Sequence, residues 1–229
     1  MALNPQSAEA QSFLAWTLVG RVLDFPESSS DGDIKRAEEL ATQAVAASPS
    51  SPLAHFAKGI VLRAQRRCRA AIPEYETVMA LNRNWVSAFA DIGRCKIFIG
   101  PIEEAIPAQE QAIRLSPRDP LIGIWYFRIG EAHLLQSRID EAIFWLEKAR
   151  RANPALGYVR VYLASAYALK GDTERAAAEL AEGRRLSGER SWISMAKIRA
   201  RSRYETQTIR ALCEATFYAG LRKAGLSEE

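Results

Sequence analysis

Small residues recur along the chain at one fixed step. Ala37, Ala71, Ala105, Ala142 and Ala176 are separated by 34, 34, 37 and 34 residues. Gly59, Gly93, Gly130 and Ala164 follow at 34, 37 and 34. A third series, Pro49, Arg83, Pro117, Pro154 and Gly188, repeats 34, 34, 37 and 34, with proline at three of its five positions. The three series share one step and one three-residue slip in the same interval. Such a period describes a row of small units. No unit can bury its apolar face alone, so each must stack on the next.

Each unit reads as two helices. Phe89, Ile92, Gly93 and Lys96 lie on one helical period, which Gly100-Pro101 breaks. Ala105, Ala108, Ala112 and Leu115 lie on a second period, which ends at Ser116-Pro117. Spacings of three and four place these side chains on one stripe of each helix. Gly-Pro and the later Gly171-Asp172 are turn dipeptides. Proline after a second helix stops it, because proline cannot continue the hydrogen-bond ladder.

A helix–turn–helix unit of this length, with small residues at its eighth and twentieth slots and proline at the thirty-second, resembles the tetratricopeptide repeat. The stretch 123–156 matches the family pattern with Tyr126, Ile129, Gly130, Ala142, Leu146, Ala149 and Pro154, though His133 stands where an aromatic is usual. The stretch 86–119 matches with Phe89, Ile92, Gly93, Ala105, Ala112 and Pro117, but carries Lys96 and Gln109 at two packing slots. Units 52–85 and 157–188 keep Gly59, Leu62, Ala71 and Tyr75, and Leu163, Ala164, Tyr167, Ala176 and Leu180. The resemblance implies an all-α superhelix of about five helix pairs. Gly59, Ala71, Gly93, Ala105, Gly130, Ala142, Ala164 and Ala176 would sit where the two helices of a unit cross, a place where a larger side chain forces them apart at about 1–3 kcal/mol.

The array is expected to span residues 1–188, with units near 8–51, 52–85, 86–119, 120–156 and 157–188, followed by capping helices in 189–229. The first unit is too long, and its excess falls in DFPESSSDGD, residues 24–33, whose proline, glycine and serine predict a loop. Asp33 is the expected N-cap of the following helix, from Ile34. A calcium loop does not fit, because counting from Asp31 the fifth position is Lys35. Pro120–Ile122 are expected to extend the front of the next first helix, with Asp119 as its cap and Pro120 at its first position. Past residue 188, SWISMAKIRARSR (191–203) reads as a basic helix. Residues 206–225 read as another, with Ile209, Leu212, Cys213, Phe217 and Leu221 on one stripe and Gly225 as its stop.

Leu3-Asn4-Pro5 is similar to the closing slots of a preceding unit, which suggests the C-terminal part of a longer polypeptide. The stretches HFAKGIVLRAQRR, 114–154 and FYAGLRKAGLSEE further resemble the C-terminal repeat region of bacterial class III adenylate cyclase-like proteins. In those the catalytic domain lies upstream, so this resemblance implies a regulatory or dimerising tail of a signalling enzyme.

Little in the sequence points to chemistry. The two histidines, His55 and His133, fall at slots usually filled by packing residues. HExxH, GxSxG, GxGxxG and the phosphate-loop pattern are absent. Cys68, Cys95 and Cys213 have no metal or disulfide spacing and read as packing residues or incidental thiols, in a reducing, cytoplasmic setting. No catalytic, metal or cofactor site is expected. Glu38-Glu39 and Glu103-Glu104 open second helices, where acidic side chains favour the helix N-terminus. No apolar run is long enough to cross a membrane. The net charge, 31 − 27 = +4, is mild. The basic run 63–69 has no aromatics interleaved for base stacking, and Arg190, Lys197, Arg199, Arg201 and Arg203 are expected to cover an end of the array or meet an acidic partner surface, so a nucleic-acid-binding helical repeat is only the second alternative.

In the repeats this chain resembles, ligand contacts come from slots 2, 5, 9 and 12 of each first helix. Here those slots give, among others, Phe56, Ile60 and Arg63; Arg94 and Ile97; Ile124, Phe127, Glu131 and Leu134; and Tyr158 and Val161. The set is more apolar than a solvent face. Two occupants remain open: a protein or peptide partner, or the chain itself through helix 206–224 or a second copy. The lysine and asparagine that clamp a peptide carboxylate are missing, with Phe56 and Ile60 in their place. An apolar peptide or amphipathic helix fits better. The expected function is a non-catalytic protein-interaction scaffold.

Overall fold

The computed structural model describes residues 7–24, 31–187 and 194–229. Helix is the only regular secondary structure among them. The chain forms two compact units, residues 1–95 and 96–229.

The first unit holds α1 (Ala8–Asp24), α2 (Asp31–Ala47), α3 (Pro52–Ala64), α4 (Cys68–Leu81) and most of α5 (Val86–Ile99). Helix α1 packs on α2 and α3, α2 on α3, and α3 on α4. Helix α3 starts where Ser51 Oγ accepts the Ala54 N–H at 3.3 Å, with Pro52 in the first turn. Of the predicted loop at 24–33, residues 25–30 lie outside the described residues, and its two ends are helical. Asp24 ends α1 and Asp31 begins α2, so Asp33 lies inside the first turn of α2 and does not precede it.

The second unit continues α5 and passes through a 3-10 turn (Ile102–Glu104) into α6 (Ala105–Leu115). Helices α7 (Ile122–Leu135), α8 (Ile139–Ala152), α9 (Gly157–Lys170) and α10 (Thr173–Ser187) follow. Neighbours in this list pack on one another from α6 to α10. The front of α7 differs from expectation. Asp119 Oδ1 accepts the Leu121 N–H at 2.9 Å, which closes a turn ahead of the helix, and α7 starts only at Ile122. Helix α11 (Met195–Arg201) covers part of the basic stretch; residues 191–193 lie outside the described residues, as do Leu3-Asn4-Pro5 and Gly188. Helix α12 (Gln207–Cys213) runs through a π turn (Glu214–Tyr218) into α13 (Ala219–Lys223), and Gly225 follows at φ 87°.

The small residues lie at the crossings of paired helices. A Cβ on Gly59 would stand 2.5 Å from the Tyr75 ring, and one on Gly130 2.7 Å from Leu146 Cγ. Both are below any real carbon–carbon contact, so the paired helices approach as closely as glycine permits. Ala71, Ala105, Ala142, Ala164 and Ala176 are fully buried, and Gly93 is buried.

A second periodic signature lies in the backbone. Arg66, Gly100, Ser137 and Gly171 each turn between the helices of a pair with positive φ (59°, 132°, 59° and 91°). They repeat the 34, 37 and 34 step of the small residues. Two of the four carry side chains in a region that costs an L-residue about 1 kcal/mol or more. Ser137→Gly is therefore expected to raise the unfolding free energy, by up to about 1 kcal/mol after glycine's own entropy is offset. An unchanged or lower urea midpoint would show that this turn carries no strain.

Candidate partner-binding site

The first helices of the second unit, α7 and α9, place a polar cluster inside an aromatic wall. Glu131 on α7 is 1% exposed. Its carboxylate takes Arg128 Nη1 at 2.6 Å on one oxygen. On the other oxygen it accepts the hydroxyls of Tyr204 at 2.8 Å and Tyr162 at 3.2 Å. The two hydroxyls lie 3.1 Å apart. Burial first, and the Glu131 charge second, push both tyrosines well above their ordinary pKa, so both stay protonated as donors. The Arg128 guanidinium also lies over the rings of Phe127 (5.0 Å) and Phe98 (5.5 Å).

The rings form a chain. Phe127 meets Tyr158 and Tyr162 edge-on at 4.8 and 4.9 Å, and Tyr162 stacks on Phe217 at 4.0 Å. Phe98 meets Tyr204 edge-on at 6.0 Å. These residues enclose a partly open cavity of about 210 Å³, whose remaining lining includes Arg201 at the end of α11 and Ser202 and Arg203 just after it. Glu205 N–H donates to Phe98 C=O at 2.8 Å and holds that segment in place.

The C-terminal helices cover the rest of this side. Ser165 Oγ on α9 donates to Phe217 C=O at 2.8 Å. A Cβ on Gly220 would lie 2.5 Å from the Ser165 carbonyl oxygen, so α13 approaches α9 backbone to backbone, which only glycine allows. Arg199 clamps both Glu214 and Glu228 at 2.8 Å, and Arg222 bonds the same two carboxylates.

Against this geometry, the face expected to be open is largely closed. Phe127, Glu131 and Tyr158 come together at the cavity. Val161 and Leu134 are fully buried, Ile97 is buried, and Ile124 is half-buried outside the cavity. In the first unit Phe56 is 1% exposed, because its ring packs against Trp16, Tyr75 and Trp85 at 5.3 to 5.8 Å. Ile60 is buried beside it. Arg63 is buried on Asp91 at 3.5 Å, and Arg94 is half-buried near the same carboxylate. The cause is burial: Phe56 is covered by Trp16, Tyr75 and Trp85, and Ile60, Ile97, Leu134 and Val161 are buried as well, so their apolar character fits core packing. Slot counting also missed Arg128 and Tyr162, which both stand at the sixth slot of their units. Tyr204 lies outside the repeat and left no periodic signal.

In the basic run 63–69, Arg63 is turned inward on Asp91, Arg67 pairs with Glu38 at 3.2 Å on the surface, and Arg66 and Arg69 are exposed. All three cysteines are buried. Among the described residues no cluster of His, Cys, Asp or Glu could hold a metal ion, and no helix is long and apolar enough to cross a membrane. His55 bonds Glu74 at 2.6 Å and the Pro49 carbonyl at 2.9 Å. His133 is 8% exposed, and burial, then Arg138, pull its pKa below 6.5 against the weaker pull of Glu141 and Glu110. The unfolded chain therefore binds the proton more readily than the folded one. His133 contributes stability above the unfolded value, and this is lost as pH falls below it. The urea midpoint should drop between about pH 7.5 and 5.5, and the drop should shrink in His133→Phe. An equal drop in the variant would assign the effect to other groups.

Residues 30–83 and 100–157 match a family model described as tetratricopeptide repeat. No curated protein matches the chain. Among solved structures, pilF of Pseudomonas aeruginosa is 17% identical, with 94% of this chain and 96% of that one covered at a TM-score of 0.65. MamA 41-end from Desulfovibrio magneticus RS-1 is 19% identical, covering 77% and 95% at 0.60. YrrB, a TPR protein with an unusual peptide-binding site, is 18% identical, covering 80% and 88% at 0.53. These similarities establish the shared fold. Together with the family match, the recurring hairpins and the small residues at their crossings, they show that the chain belongs to the tetratricopeptide-repeat family.

Proposed function

We propose that this protein is a non-catalytic interaction module that holds a peptide or helix of a protein partner on the first-helix side of its repeats. The observation that carries the reading is the open aromatic cavity between α7 and α9. It gathers Phe127, Glu131 and Tyr158 on the side where the family presents its ligand-contacting slots. A peptide-binding neighbour of the same fold supports it. The test is selection from a random peptide library on the purified protein. Enriched peptides should shift the backbone amide resonances of α7 and α9. Tyr158→Ala should weaken them about tenfold or more, as truncation of an aromatic anchor does. Enrichment that ignores Tyr158, or none, would overturn the reading.

A second reading has its own observation. On α1, Phe13, Leu14 and Trp16 are 40 to 49% exposed, and Phe13 stacks with Trp16. The outer face of a terminal repeat is ordinarily polar. A covered α1 fits a regulatory or dimerising module within a larger polypeptide, as the cyclase-like resemblance implies. The reading frame upstream of residue 1 and the sedimentation of the chain decide it. For nucleic acid, the burial of Arg63 on Asp91 takes one charge out of the basic run, and a steep loss of affinity with salt would be the contrary sign.

A further inference from the structure

Helix α1 carries an apolar side that nothing in its own unit covers. Its inner side is closed, with Ser12, Ala15 and Val19 fully buried. The opposite side leaves Phe13, Leu14 and Trp16 exposed. Between Glu9 and Arg21 the helix sequence has no charged residue. A solvated helix face ordinarily carries charge, so this one is suited to being covered.

Continuity with the stacking of the array is the first guide to what covers it. Ala10, Phe13, Thr17 and Gly20 hold the third, sixth, tenth and thirteenth slots of the first unit. In α3, which packs on α1, α2 and α4, the same slots hold Ala54, Ala57, Val61 and Ala64, and all four are buried. The α1 stripe thus matches a side that the next unit buries, and no helix precedes α1 among the described residues to meet it.

The stripe is also complementary to itself. Positions 10, 13, 17 and 20 are spaced as a heptad seam. In two such helices running antiparallel and centred at the level of Ala15, each Phe13 meets the partner's Thr17, and each Ala10 meets the partner's Gly20. Each large ring faces a short side chain, and both ends of the contact are small. Leu14 then lies beside the partner's Leu14 on one flank, and Trp16 beside the partner's Trp16 on the other, the reciprocity a two-fold axis requires. The two Glu9 residues stand at opposite ends, so no like charges meet. Gly20 has no internal reason to be glycine. A Cβ there would meet nothing within 4 Å, and glycine weakens a helix. Close approach of a second helix is what it permits.

We propose that α1 is a self-association surface on which a second copy of this chain seats its own α1, antiparallel and in two-fold register. The inference rests on the second reading of α1, as part of a dimerising module, and deepens it by naming the occupant and the register. One helix pair buries on the order of 800 Å² in all, below the roughly 1,200–2,000 Å² of stable complexes. The dimer is therefore weak, with a dissociation constant on the order of 100 µM.

Sedimentation equilibrium of the chain from about 5 to 500 µM tests it. The average mass should climb from that of a monomer towards that of a dimer. Leu14→Glu and Leu14→Lys should each weaken association about tenfold or more, because the axis sets like charges side by side. Mixed in equal amounts, the two variants should associate again. Gly20→Leu should weaken the dimer about tenfold by filling the notch. Its urea midpoint should stay at or above the wild-type value, because the site is open within the monomer, which separates the interface from folding.

A monomer throughout the range overturns the proposal. So does a dimer indifferent to Leu14 and Gly20, or a pair of charged variants that fail to rescue each other. The two readings fail separately. A monomer whose upstream reading frame encodes further repeats removes the α1 pair and keeps the larger polypeptide. A dimer that depends on Leu14, with no such frame, keeps the pair and removes the larger polypeptide.

Discussion

Glu131→Ala is expected to lower the unfolding free energy by about 3–5 kcal/mol, the cost of breaking a buried ion pair from one side. The loss has three parts. Arg128 would keep its charge with no carboxylate at 2.6 Å, between two rings that shield it from water. Tyr162 and Tyr204 would each lose an acceptor and keep only one another. The tie between the chain at 204 and α7, 73 residues apart, would also disappear. Glu131→Gln separates these effects, because its carbonyl can still accept from a tyrosine while the charge opposite Arg128 is gone. It should cost less than alanine, and Tyr204→Phe less again, about 1 kcal/mol. Urea unfolding followed by circular dichroism measures all three. An alanine variant within about 1 kcal/mol of wild type would mean the cluster is wet and weakly coupled.

Phe56→Glu should be at least as damaging. On an open inner face the substitution would leave helicity intact and remove only partner binding. The ring is instead 1% exposed, between Trp16, Tyr75 and Trp85. Deleting a buried phenylalanine side chain costs about 3–5 kcal/mol, and placing a carboxylate in that space adds more. That is comparable to the whole stability of a small domain, so the first unit should lose its cooperative transition. Phe56→Leu, with most of the volume kept, should cost about 1 kcal/mol. Near-ultraviolet dichroism of Trp16 and Trp85 reports the packing directly. A wild-type spectrum and midpoint in Phe56→Glu would put the ring outside the core.

The hairpins were legible because their cause is local. A small residue is needed wherever two helices of a pair cross, and Gly59 against Tyr75 and Gly130 against Leu146 show how little room remains. The same period recurs in the left-handed turn residues Arg66, Gly100, Ser137 and Gly171, although only two of them are glycine. The candidate site was legible in part. Phe127, Glu131 and Tyr158 followed from slot counting, while Arg128 and Tyr162 stood one slot off the counted positions. Phe56, Val161 and Leu134 were misassigned because an apolar side chain on a first helix carries the same pattern whether it meets a ligand or a neighbouring helix.

Sequence alone thus determined the repeat, the pairing of its helices, the small side chains at their crossings and the lack of a recognisable catalytic motif. Those features depend on neighbours within one or two units, and their periodicity survives in the order of residues. Only the tertiary structure decided which part of the inner side stays open. That depends on contacts of no fixed spacing: Glu131 with Tyr204, and Ser165 with Phe217 and Gly220. Those partners lie beyond the last repeat, where a helix obeys no period of the array and its docking place is set by shape and hydrogen bonding across more than 50 residues of chain.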